Sequence, residues 1–133
     1  MKRLLIPAFA IVALAGCAGN GPMTYGQALK LGDSFITTEM PDQLATNQYP
    51  VSVLSIDGAD PTWAPALVKP GKRTLLVAGP MPPGLSTPMN KTFTLDVKPC
   101  TTYYVVAQKT SAMAPDYQVV VAATKPVANC KAP

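Results

Sequence analysis

The chain has 133 residues and combines 11 lysines and arginines with 7 acidic residues and no histidine. The missing imidazole excludes Ser-His-Asp and Cys-His catalysis and the usual histidine-based metal sites, so we expect a protein that is not an enzyme and holds no cofactor or metal. Two cations, Lys2 and Arg3, lie at the extreme N-terminus, and the remaining nine only slightly outnumber the acids, which argues against a nucleic-acid partner.

Residues 1–16 have the pattern of a secretory signal. Lys2 and Arg3 precede an uncharged, largely apolar run, residues 4–14, which is followed by the small residues Ala15 and Gly16. This run is too short to cross the hydrocarbon of a bilayer, which takes about 20 apolar residues. We therefore predict export and removal of the segment rather than a transmembrane helix.

The motif Leu14-Ala15-Gly16-Cys17 resembles the lipobox of bacterial lipoproteins at all four positions. The resemblance covers residues 1–17. It implies cleavage between Gly16 and Cys17, a diacylglycerol on the Cys17 thiol and an acylated new amine, so that Cys17 anchors the chain in a membrane. Ala18 in place of aspartate implies the outer membrane, with the domain facing the periplasm and surface exposure as the other option. The alternative is an ordinary signal followed by a chance cysteine.

The two other cysteines, Cys100 and Cys130, form an even pair once Cys17 is assigned to lipid. In an oxidising, exported compartment such a pair predicts a disulfide. It would close a loop of about 30 residues, for which the chain-entropy model gives roughly 3.5 kcal/mol of stabilisation. Two free thiols are the alternative.

We divide the rest of the chain into a lipidated cysteine and tether, residues 17–32, and one β-sandwich domain, residues 33–133. The tether contains the small and polar residues Gly19-Asn20-Gly21-Pro22, which are typical of a linker. Residues 33–49 lack a clear hydrophobic period. We interpret them as an irregular lead-in, with one short strand at 34–38.

After residue 50, apolar or alternating runs are separated by turn residues. Asp57-Gly58 and Pro70-Gly71 favour tight turns. Phe93, Leu95 and Val97 alternate with polar residues, which predicts a half-buried strand. Strands are predicted at 51–56, 73–78, 91–98, 102–109 and 117–123, with loops at 61–70 and 81–88.

This series of short strands predicts an all-β fold, a small antiparallel β-sandwich of about five to seven strands that is immunoglobulin-like or PEGA-like. Ile56-Asp57-Gly58 and the segment 69–75 resemble a PEGA-type surface domain, in which a D-G turn ends one strand and a P-G turn begins the next. The likeness covers about 25 residues, lacks the second half of the pattern and does not include the cysteine pair. Residues 99–104 are also similar to small uncharacterised proteobacterial lipoproteins. Neither resemblance implies catalysis.

The candidate binding patch consists of Lys69, Lys72 and Arg73 around the Pro70-Gly71 turn, together with the only tryptophan, Trp63. Clustered cations of this kind can contact lipid phosphates, anionic glycans or an acidic protein. The alternatives are ordinary solvated charges beside a turn, and a tryptophan that closes one end of the sandwich.

These observations favour a non-catalytic, lipid-anchored envelope protein that acts as an interaction or structural module and binds an envelope protein or glycan. The alternative is a carrier of a small ligand or lipid, which requires a cavity lined by the apolar strand faces. A minor hydrolase is the weakest hypothesis, because histidine is absent.

Overall fold

The computed structural model describes residues 31–41, 45–61 and 65–132. The predicted signal, Cys17, most of the tether and Trp63 lie outside the described residues. Eight strands follow one another along the described chain: β1 (Ser34–Thr37), β2 (Gln48–Tyr49), β3 (Ser52–Ile56), β4 (Ala66–Val68), β5 (Gly71–Ala78), β6 (Asn90–Val97), β7 (Thr101–Gln108) and β8 (Gln118–Pro126).

Strand β7 is the centre of a five-stranded sheet. On one side it pairs with β8 along its whole length, antiparallel. On the other side it pairs with β1 near its start and with β2 at its end, so β1 and β2 lie end to end along the same edge. Strand β4 pairs with the far side of β1, antiparallel. The β1–β7 pair is parallel, whereas the other pairs in this sheet are antiparallel.

The second sheet contains β3, β5 and β6 in that order, with antiparallel pairing throughout. Its inner face follows the alternation seen in the sequence: Leu95 and Val97 are buried and Phe93 is half-buried. Leu75 and Val77 of β5 are fully buried on the same face. Apolar side chains from both sheets form one core cluster, which includes Ile36, Val68, Tyr103, Val105 and Ala107 of the five-stranded sheet.

The predicted all-β sandwich is confirmed, with two differences in detail. The strands number eight among the described residues, because β2 and the three-residue β4 fall in segments that the sequence analysis assigned to the lead-in and to a loop. One pair is parallel, because β1 runs in the same direction as β7. Both differences depend on contacts between distant segments, which a local hydrophobic period does not report.

Tyr117 closes one end of the sandwich, which we call the tyrosine end. Its side chain is buried, and its hydroxyl donates to the carbonyl of Met89, which also accepts the Gly79 N–H at 3.0 Å. The Lys91 ammonium donates to the Tyr117 carbonyl and forms an ion pair with Asp116. These contacts join the β5–β6 connection of one sheet to the segment that leads into β8 of the other.

We predict that Gly79→Ala destabilises the domain through a steric clash with Tyr117. A Cβ on Gly79 would lie 2.2 Å from Cζ of Tyr117, although the backbone of Gly79 is outside the left-handed region and accepts alanine. Overpacking of this kind costs about 2 kcal/mol of unfolding free energy, measurable by urea unfolding.

The control is the same substitution in a Tyr117→Ala background. If the clash is the cause, the penalty of Gly79→Ala falls below about 0.5 kcal/mol there, since the two residues are coupled only through the ring. An equal penalty in both backgrounds would contradict this explanation.

Candidate functional site

The opposite end of the sandwich, which we call the disulfide end, brings together most of the residues that the sequence analysis singled out. Strands β1, β5 and β7 begin there and β4, β6 and β8 finish there, as the pairings Ser34 with Val68, Gly71 with Val97 and Thr101 with Pro126 show. It therefore collects turns from both sheets.

The disulfide between Cys100 and Cys130 is present, with a Cα–Cα distance of 5.5 Å. Cys100 lies in the turn between β6 and β7 with a φ of 52°. Its N–H donates to the carbonyl of Gly32 at 3.1 Å, and its carbonyl accepts the Val127 N–H at 2.9 Å. The bridge therefore fastens the C-terminal segment to the turn that connects the two sheets, beside the start of β1.

Ser34 is a second connection at this end. Its fully buried hydroxyl donates to the Lys98 carbonyl and accepts the Thr101 N–H at 3.0 Å. The Tyr103 hydroxyl accepts the Lys98 N–H at 2.8 Å. Ser34 of β1 and Tyr103 of β7 thus form hydrogen bonds with backbone groups of the turn that have no partner in strand pairing. Buried polar groups need such partners.

Asp33 is 3% exposed, and its Oδ2 has no hydrogen-bond partner among the described residues. Its own carbonyl lies 3.6 Å from the Cys130 sulfur. Burial raises the pKa of the Asp33 carboxyl, and the positive charges of Lys69 and Arg73 oppose that rise only in part. An ionised carboxylate at this position is costly, because burial removes its hydration.

The Asp57-Gly58 turn forms as predicted, with φ angles of 51° and 81° that match a type I′ turn. The Asp57 carboxylate accepts the Thr74 N–H at 2.9 Å and pairs with the Arg73 guanidinium at 3.0 Å. The Thr74 N–H, followed by Arg73, lowers the pKa of Asp57. The carboxylate thereby links the turn after β3 to the first residues of β5.

Arg73 of the candidate patch is engaged within the fold. Besides Asp57, its Nε donates to the Lys69 carbonyl and its Nη2 to the Pro70 carbonyl, both at 2.9 Å. Lys72 projects from the opposite face of β5, where its register partner is Asp96. The structure therefore places Arg73 beside Lys69 and directs Lys72 away from both, while Trp63 lies outside the described residues.

A shallow recess of about 190 Å³ adjoins this network and is lined by residues that include Asp57, Asp60, Leu67, Lys69 and Arg73. Of the charged groups that line it, Asp57 and Arg73 are paired with each other. Within the described ranges, no group of three or more histidine, cysteine or acidic side chains is arranged to hold a metal ion. Within the same ranges, no helix has the length and apolar character needed to span a bilayer.

Sequence reasoning missed Asp33 and Ser34, the two buried polar residues at this end. The only local signal is that both precede the apolar pair Phe35-Ile36 in a strand whose four residues are all buried. Their roles depend on the turn between β6 and β7, more than 60 residues away in sequence.

No known protein family, no curated protein and no solved structure matches the chain. The lipobox and PEGA-type likenesses therefore stand on the residues quoted above.

We predict that Asp33→Asn stabilises the protein at pH 7. Because the folded-state pKa of Asp33 lies above the ordinary value of 3.8, this carboxyl supports folding below pH 3.8 and disfavours it as pH rises through the folded pKa. The gain in unfolding free energy should be largest at neutral pH and should fade below pH 3.8. Urea unfolding across this pH range measures it.

Asp57→Asn is the matched control, with the opposite sign. The folded-state pKa of Asp57 is lowered, so its stabilisation is present above pH 3.8 and is lost as pH falls through the folded pKa. Asp57→Asn should therefore destabilise at pH 7. Destabilisation by Asp33→Asn at pH 7 would show that the buried carboxylate has a stabilising partner.

Proposed function

We propose that this protein is a lipid-anchored component of the bacterial envelope that acts by binding another envelope protein or glycan, without catalysis. The observation that carries the proposal is the position and fastening of the start of β1. The lipobox-like motif at Cys17 would attach the lipid upstream of β1, so any load between membrane and domain would pass through residues 32–34.

That start is held by several independent contacts. Cys100 donates to Gly32, the Cys130 sulfur lies against the Asp33 carbonyl, and Ser34 bridges Lys98 and Thr101. Strand β1 is also paired on both edges, with β4 and β7. A domain that is tethered through β1 would resist detachment of this strand from the sheet, because several contacts must break first.

The charged groups of the candidate site support a binding role over chemistry. Asp57 and Arg73 are bound to each other and to backbone groups of two turns. Lys72 has Asp96 as its cross-strand neighbour. Asp57 and Arg73, which are held in this way, give a rigid surface, whereas a general acid or base must exchange a proton with a substrate.

The carrier hypothesis gains no specific support from the described residues. Leu75, Val77 and Val105 are fully buried within the core cluster that both sheets share. A carrier would need ligand space between these faces.

The anchor is tested by mass spectrometry of the mature protein from a bacterial host. We predict that the N-terminal peptide begins at Cys17 and carries the mass of a diacylglycerol and an additional acyl chain. Cys17→Ser should leave the membrane fraction, and Cys100→Ser, which removes a different cysteine, should stay in it. An unmodified Cys17, or a Cys17→Ser protein that stays in the membrane fraction, would contradict the anchor.

The binding role is tested by placing a photo-crosslinking amino acid at exposed positions in intact cells. Leu85, Thr92, Met113 and Gln118 sample different surfaces, and the fully buried Leu75 is the control. We expect one dominant partner from at least one of the four exposed positions and none from position 75. Turnover of a substrate by the purified protein, abolished by a single substitution, would contradict the proposal.

A further inference from the structure

Positive charge is concentrated at one end of the sandwich. Of the eight lysines and arginines in the described ranges, six lie at the disulfide end and two at the tyrosine end. The six are Lys69, Lys72, Arg73, Lys98, Lys125 and Lys131. At the tyrosine end, Lys91 pairs with Asp116, and the buried Lys109 lies 5.3 Å from the ring centroid of Tyr49. At the disulfide end, the exposed Lys125 lies 5.2 Å from the ring centroid of Tyr104.

Four exposed lysines at the disulfide end form what we call the basic rim. Lys69 follows β4, Lys98 follows β6, Lys125 is near the end of β8 and Lys131 follows the disulfide. Each stands apart from the others in sequence. The strand order brings them to one end, because β4, β6 and β8 all finish there.

The acidic residues do not cancel this asymmetry. Asp57 pairs with Arg73 and Asp96 is the register partner of Lys72, so these two acids offset cations outside the basic rim. Asp33 is buried, and Asp60 lines the recess beside Lys69. At the tyrosine end, Lys91 pairs with Asp116. The molecule therefore carries its excess positive charge at the disulfide end.

The start of β1 lies at this same end, so the tether would join the domain beside the basic rim. A chain spans at most about 3.4 Å per residue, so residues 18–31 hold Gly32 within roughly 50 Å of a lipidated Cys17. The end of the sandwich that the tether reaches first is the end that carries the basic rim.

We propose that the basic rim binds the anionic phosphate headgroups of the bilayer that holds the anchor. This inference rests on the proposed lipid anchor and adds an orientation to it: the disulfide end faces the bilayer and the tyrosine end points away. The anchor holds the lysines within reach of the surface, and the attraction then acts over a Debye length of about 10 Å at 0.1 M salt. A domain held in this way presents its strand faces and tyrosine end to a partner.

The test uses the full lipidated protein in vesicles of phosphatidylcholine, with or without phosphatidylglycerol. Lysines are modified with an amine-reactive reagent and quantified by mass spectrometry. We expect modification of Lys98 and Lys131 to fall about fivefold when phosphatidylglycerol is present at low salt. It should recover at 1 M salt, where the Debye length is about 3 Å. Modification of Lys91 should not change.

Two variants make the test specific. In Lys69→Gln/Lys98→Gln/Lys125→Gln, the protection of Lys131 should disappear, because three of the four charges are removed. In Lys72→Gln it should persist, since all four lysines of the basic rim remain and Lys72 lies outside that rim. Unfolding curves for both variants verify that they are folded.

The outcomes separate this inference from the proposed anchor. Failure to sediment with phosphatidylcholine vesicles would contradict the anchor, and the orientation with it. If the protein sediments but Lys98 and Lys131 are modified to the same extent with and without phosphatidylglycerol, the orientation is wrong and the anchor is unaffected. Equal protection of Lys91 and Lys131 would also overturn it, because the whole surface would then be shielded.

Discussion

The parallel pairing of β1 with β7 is the contact that joins β1 and β4 to the rest of the five-stranded sheet. Among the described strands β4 pairs only with β1, so β4 belongs to this sheet only because β1 pairs with β7. All four residues of β1 are buried. Its start is secured by the Cys100 N–H and by Ser34, whose hydroxyl reaches the turn between the two sheets. The disulfide lies beside these contacts and limits how far the turn can move.

The two ends of the sandwich are closed by different chemistry. Tyr117 and Lys91 close one end through hydrogen bonds and one exposed ion pair. The other end combines a covalent bridge, a buried carboxyl group at Asp33 and an excess of lysines. This asymmetry suits a domain that is tethered at one end and presents the other, as in the proposed function and orientation.

Much of the fold was predictable from local patterns, and the site was predictable only in part. The alternation of Phe93, Leu95 and Val97 predicted β6, and Asp57-Gly58 predicted the turn after β3. Both signals lie within a few residues of sequence. Strand β4 has three residues next to prolines, too few to show a period. The engagement of Arg73, the role of Ser34 and the basic rim could not be predicted, because each depends on which distant strands become neighbours.

Hydrogen exchange of the full chain before and after reduction of the disulfide tests the central claim most directly. If the bridge fastens the start of β1, reduction should speed amide exchange in peptides that cover β1 and the first residues of β7, and leave Leu75 to Val77 protected. Unchanged exchange in β1 would show that the hydrogen bonds of Gly32 and Ser34 suffice without the bridge. A uniform increase over both sheets would show that the bridge stabilises the whole domain and not this end, and either result would contradict the account.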